Sequence, residues 1–183
     1  MRHWRPLLAA FAVCAALAAV VLLTRRHAPV RAADGAAPTP YPSPVPVRVV
    51  LFFPGDDGLL HREVRETAGL SDATLPRART LLEELLAGSR EAWGPAFPWP
   101  AGVEAVFVDR EGNAFVDFSA PPAGAVSGTA SEIALVYSTV HTLVANCPGI
   151  ERVQLLFDGH EVTTLGHLDL SRPLAPRPEM IAR

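Results

Sequence analysis

The chain has 183 residues, 19% of them charged and 49% hydrophobic, which suits one folded domain plus an apolar segment and argues against a disordered polymer. All 16 basic residues are Arg, and without a Lys the chain has neither a Schiff-base amine nor the lysine of a phosphate-binding loop. From residue 47 onward there are 11 Arg against 18 Asp and Glu, an acidic balance that disfavours binding to the phosphate backbone of a nucleic acid.

Residues 7–23 are uninterrupted in apolar character, at the lower limit of length for a bilayer crossing. Arg2 and Arg5 precede them on a short N-terminus, residues 1–6, that is expected to stay in the cytoplasm. Arg25, Arg26 and Arg31 follow and weaken the charge asymmetry, so orientation rests mainly on how short the N-terminus is. The expected arrangement is a single-pass signal anchor in the cytoplasmic membrane with the C-terminal domain outside. Cleavage near Val30 to Ala33 is the competing reading, disfavoured by the arginines that separate that site from the apolar core. Lipidation at Cys14 is disfavoured by its bulky neighbours Phe11 and Val13.

Residues 24–46 form an Ala/Pro-rich linker in which Pro38, Pro40, Pro42, Pro44 and Pro46 alternate. Such a stretch is an extended, polyproline-like spacer of roughly 3 Å per residue. The folded domain is expected at 47–175, with a tail at 176–183.

Val47 to Phe53 is a β-branched and aromatic strand ended by Pro-Gly-Asp-Asp-Gly, and Leu59 to Thr67 is its returning partner. Ala78, Leu81, Leu82, Leu85 and Leu86 recur at helical spacing, and Gly88 is placed to end that helix in a left-handed cap. Glu83 and Glu84 read as its solvated face. Ser89 to Pro100 gathers Trp93, Phe97 and Trp99 among three prolines. These aromatics are the candidate contacts for a protein partner or a glycan; the plainer reading is a loop folded over the edge of the core.

Val103 to Asp109 and Ala114 to Ser119 make a second hairpin around Arg-Glu-Gly-Asn. Ile133, Val136, Tyr137, Val140 and Val144 then mark a second amphipathic helix, stopped by Pro148-Gly149. Thr129 as N-cap with Glu132 three residues later predicts a capping box at its start. His141 reads as facing solvent, away from the apolar stripe. Val153, Leu155 and Phe157 form a strand that turns at Asp158-Gly159 into Glu161 to Leu165.

The order ββα-ββα-ββ predicts an α+β single domain, an antiparallel sheet with two helices packed on one face, following the N-terminal transmembrane helix. Cys147 reads as a small buried hydrophobe. Four potential ligands, Asp158, His160, His167 and Asp169, lie within twelve positions, but their spacing matches no metal motif. No nucleophile elbow or paired-carboxylate arrangement is present, so neither a catalytic residue nor a cofactor is assigned.

Taken together and in order, VRVVLFF, LLEELLAGS, AFVDFS, GTASE, VYSTVHTLV, PGIERVQLLFDG and LGHLDLSRPL resemble the GerMN domain of bacterial sporulation and spore germination proteins, over about residues 47–174. Cys147 before the Pro-Gly break and the Trp-rich loop depart from that pattern. The resemblance implies an envelope-anchored, non-enzymatic module without a catalytic triad or cofactor, often beside amidases or other wall-active partners, with a fold like the ring-building motifs of secretion assemblies. The expected partners are envelope or sporulation assembly proteins, with peptidoglycan and a second copy of the chain as further candidates. A peptidoglycan-binding module is the alternative function, and a cell-wall hydrolase ranks behind both.

Overall fold

In the computed structural model, residues 45–125 and 128–183 are described. The anchor expected at 7–23 and nearly all of the linker at 24–46 lie outside the described residues, among which no helix is long and apolar enough to cross a membrane.

Strand β1 (Val47–Pro54) pairs antiparallel with β2 (Leu60–Thr67) across the Gly-Asp-Asp-Gly turn. Helix α1 (Thr74–Leu86) buries Ala78, Leu81, Leu82 and Leu85, the stripe that its periodicity marks. Pro76 sits in its first turn, where a missing N–H costs nothing. Gly88, at φ 89°, ends the helix in the left-handed conformation as expected.

Strands β3 (Val103–Val108) and β4 (Asn113–Phe118) form the second antiparallel hairpin. Helix α2 (Thr129–Asn146) follows, and β5 (Arg152–Phe157) then pairs with β4 in parallel, Asn113 opposite Arg152 and Phe118 opposite Phe157. The physical reason is length. An 18-residue helix returns the chain by about 27 Å, to the level where β4 began, so the next strand runs the same way.

The single antiparallel sheet expected from the sequence is therefore corrected in two respects. The β1–β2 hairpin is hydrogen-bonded separately from the sheet β3-β4-β5-β6, where β6 is His160–Glu161, and that second sheet is mixed. The last expected strand also divides: Thr164–Leu165 (β7) turns back on Leu168–Asp169 (β8) as a small separate hairpin. The result is a small mixed α/β domain. Val49, Leu51 and Phe53 from β1, Val116 and Phe118 from β4, Val153 and Leu155 from β5, and the buried faces of both helices share one core.

Two helix positions depart from expectation. The capping box does not form: Gly128 occupies the N-cap of α2 and no side chain caps it. Glu132 is instead buried, its Oε2 accepting the backbone N–H of His167 at 2.9 Å. A Cβ at Gly166 (φ 57°) would overlap Glu132 Oε1, so this glycine permits the close approach of the β7–β8 turn to the helix. His141 is also buried, at 4% exposure, with Nε2 against the backbone of Arg177, and so pins the C-terminal segment. Burial lowers its affinity for a proton.

Cys147 is 1% exposed, and burial raises its thiol pKa to about 11, leaving it a packing group and not a nucleophile.

Candidate functional site

The β1–β2 turn and the loop after α1 meet around His61. Asp57 accepts the N–H of Leu59 at 3.0 Å, and His61 Nε2 lies 3.1 Å from both of its carboxylate oxygens. The Leu59 amide and the His61 ring hold the Asp57 carboxyl below its usual range. Trp93 stacks on His61, with ring centroids 4.0 Å apart and planes 14° from parallel.

The backbone supplies the placement. Ala92 adopts φ 64°, a left-handed conformation costly for a residue with a Cβ, and Gly94 donates to Pro54 O at 2.9 Å. Together they hold the Trp93 ring over the hairpin. Gly55, Asp56, Asp57, His61, Ala92, Trp93 and Gly94 line a pocket of about 290 Å³. An aromatic stack beside carboxylate acceptors suits the apolar face and hydroxyls of a sugar ring. Among the described residues no Ser, Thr or Cys lines the pocket.

The three aromatics singled out in the sequence are not brought together at this site. Phe97 and Trp99 are 7% and 8% exposed. They meet edge to face at 5.4 Å, and pack on Phe118 and Phe157 respectively. Their faces belong to the core, whereas Trp93 lines the pocket beside His61. The indole N–H groups of Trp93 and Trp99 are buried without an acceptor among the described residues.

Beneath this loop lies a buried charge network that sequence reasoning missed. Glu63 and Arg65 are 1% and 4% exposed, although both sit on β2 opposite Leu51 and Val49. Arg65 donates from Nε to Glu63 Oε1 at 2.6 Å and from its terminal nitrogens to Glu84 Oε2 at 2.8 Å, Glu84 O at 3.0 Å and Gly88 O at 2.6 Å. The same carboxylate of Glu63 accepts the Ser89 hydroxyl and the backbone N–H groups of Arg90 and Glu91. The end of α1 and the start of the Trp93 loop are thus fastened to β2. Glu84, read from the sequence as solvated, is the outer member of the network and also binds Arg90 at 2.9 Å. A Glu-x-Arg pair facing the core of a hairpin was the only signal for it.

A larger cleft, about 500 Å³, opens between α1 and the end of α2, with Arg48, Asp72, Arg77 and Asn146 on its walls. Arg77 is committed to structure there, donating to Asn146 O at 2.8 Å and Ser71 O at 3.3 Å. The four candidate metal ligands are dispersed. His160 bonds Asp158 O at 2.7 Å, His167 faces Glu132, and Asp169 accepts from Ser171. Among the described residues no group of three or more potential ligands could hold a metal ion.

Comparison with known proteins fits this architecture. The Germane family, described as "Sporulation and spore germination", matches residues 50–163 through its sequence model. The chain belongs to that family. Among solved structures it is similar to the first GerMN domain of the sporulation protein GerM from Bacillus subtilis, at 21% identity and a TM-score of 0.52, covering 75% of this chain and 98% of that one. The tandem GerMN domains of the same protein match at 20% identity and a TM-score of 0.54, covering 71% of this chain and 46% of the tandem. A protein from Clostridium perfringens described as a candidate lipoprotein matches at 19% identity and a TM-score of 0.50, covering 72% and 88% of the two chains. No curated protein matches the chain.

Proposed function

We propose that this protein is a non-enzymatic, membrane-tethered module outside the cytoplasm, acting in sporulation, spore germination or cell-envelope assembly through protein contacts. Membership of a family described by sporulation and germination carries this reading. The apolar run at 7–23 and the Pro-alternating spacer support the tether. Chemical crosslinking of the full chain in its native membrane, followed by recovery and identification of what is joined to it, tests the proposal. Envelope or sporulation assembly proteins are the expected products; a chain that is released to the soluble fraction, or that joins no envelope protein, sinks it.

The Trp93 pocket favours one second reading, a peptidoglycan-binding module. If it is right, the chain sediments with purified wall sacculi, and Trp93→Ala weakens the affinity about tenfold, the loss of one aromatic–sugar stack of about 1.4 kcal/mol. Equal sedimentation of the variant and the parent would remove the pocket from consideration.

A further inference from the structure

Sheet edges expose unpaired backbone groups, and a folded chain normally covers or guards them. Here three strands are dealt with by the chain itself. The outer edge of β1 is met by α2, through Asn146 and Thr142. The edge of β5 is closed by β6 and by Leu174, which exchanges two backbone hydrogen bonds with Val153 at 2.9 and 2.8 Å. The edge of β2 is bridged at Leu60 by Ile181, and beyond that it is guarded by charge, Arg62 and Glu66 on one side and Glu63 and Arg65 on the other.

Strand β3 differs. Helix α1 packs against this strand, and its Arg79 binds the carbonyls of Val103 and Glu104, but no hydrogen bond among the described residues reaches the backbone of Val106 or Val108 on the side away from β4. Asp109 donates to Asn113 O and Phe107 pairs with Phe115, so by the alternation of an antiparallel ladder Val106 and Val108 present their N–H and C=O groups outward. Between them stands Phe107, 65% exposed.

We propose that this edge pairs with the same edge of a second copy of the chain, antiparallel and centred on Phe107. The register follows from the residues. Centring on Phe107 sets Val106 opposite the second copy's Val108, which allows four backbone hydrogen bonds. It places the two Phe107 rings in the closer, non-hydrogen-bonded type of cross-strand pair. Counted along the strand, which bulges between Val103 and Ala105, it also sets Glu104 opposite Arg110 in the β3–β4 turn of the second copy, twice by symmetry. Both residues are exposed, and neither takes part in an ion pair among the described residues. Centring on Val106 instead would put Phe107 opposite Ala105, Glu104 opposite Val108 and Arg110 opposite Gly102, leaving both charges unmatched.

Four backbone bonds and one aromatic pair make a contact at the weak end of the specific range, so a covalent trap is the suitable readout. In the full chain carrying Cys14→Ser and Cys147→Ala, Phe107→Cys is expected to form a disulfide-linked dimer on mild oxidation, because opposed residues of a non-hydrogen-bonded pair lie about 4.5 Å apart at Cα. Val64→Cys, equally a strand residue and 48% exposed, is the control and should crosslink at least tenfold less. With lysine-independent photocrosslinking at Phe115 as a second probe, Glu104→Arg should reduce dimer yield and Glu104→Arg with Arg110→Glu should restore it. Equal trapping at positions 64 and 107, failure of the charge exchange to restore the dimer, or crosslinks from position 107 to another protein alone would each overturn the proposal. Each outcome is independent of the chain's location, so it is distinguishable from failure of the membrane reading.

Discussion

Arg65→Ala is expected to destabilise the domain by about 3–5 kcal/mol, the cost of leaving a partner charge buried and uncompensated. Arg65 is the centre of the network beneath the Trp93 loop: it neutralises Glu63, holds Glu84, and caps α1 by binding the carbonyls of Glu84 and Gly88. Its removal leaves Glu63, 1% exposed, with only neutral donors. A domain of this size has about 5–15 kcal/mol in total, so the change takes a large share of it. Urea unfolding followed by tryptophan fluorescence measures the loss, and a double variant with Glu63→Leu should recover part of it by withdrawing the stranded charge. A loss below about 1 kcal/mol would mean that the pair behaves like an exposed one.

The same network predicts a direction for pH. Burial pushes the Glu63 carboxyl up, but the Ser89 hydroxyl, the Arg90 amide and Arg65 outweigh it and hold the group below its ordinary value. A carboxyl with a lowered folded pKa binds protons more readily when unfolded. Its contribution is therefore complete above about pH 4.3, the ordinary glutamate value, and is lost as pH falls from there through the folded value. Glu63→Gln removes this dependence. The difference in urea midpoint between parent and Glu63→Gln should be constant from neutral pH to about 5 and shrink below that; a difference that widens on acidification would contradict the assignment.

How much of this was legible in the sequence depends on the range of the interaction. The first strand, both helices and the Gly88 cap were readable because apolar periodicity and turn chemistry are local. The parallel pairing of β4 with β5 was not, since it depends on where an 18-residue helix delivers the chain. Glu63 and Arg65 gave only a weak signal for a related reason: a charged pair on a strand reads as a solvent face until its counterparts, Ser89 and Glu84, are seen to reach it from more than 18 positions away. Glu132 shows the opposite failure. Thr129-x-x-Glu132 is a complete local signal for a capping box, but the long-range bond to His167 prevails, with Gly166 making room for the carboxylate. The Trp-rich loop was half legible. Its composition announced that it needed cover, but not that Phe97 and Trp99 would be covered while Trp93 remained beside a pocket.

Asn146→Ala should cost about 2–6 kcal/mol, because it leaves two backbone groups of an edge strand without partners at about 1–3 kcal/mol each. Asn146 acts as a one-residue substitute for a neighbouring strand: its Oδ1 accepts the N–H of Val50 at 2.9 Å and its Nδ2 donates to the carbonyl of the same residue at 2.7 Å. One turn earlier, Thr142 accepts the N–H of Phe52 at 3.2 Å, so the i, i+4 spacing of the helix matches the two-residue spacing of outward groups on β1. A second bond, from Asn146 Nδ2 to Thr142 O at 2.6 Å, fixes the amide in the orientation that serves both atoms of Val50. Asn146→Asp keeps the acceptor but loses both donors and sets a carboxylate against two carbonyls, so it should be at least as damaging as Ala. Thr142→Val removes one longer bond at nearly constant volume and should cost about 1 kcal/mol. Hydrogen exchange distinguishes this from general loosening. In Asn146→Ala the amide of Val50 should lose protection before those of Val49 and Leu51, whose bonds run to β2; uniform loss along β1 would mean that α2 holds the strand by packing alone.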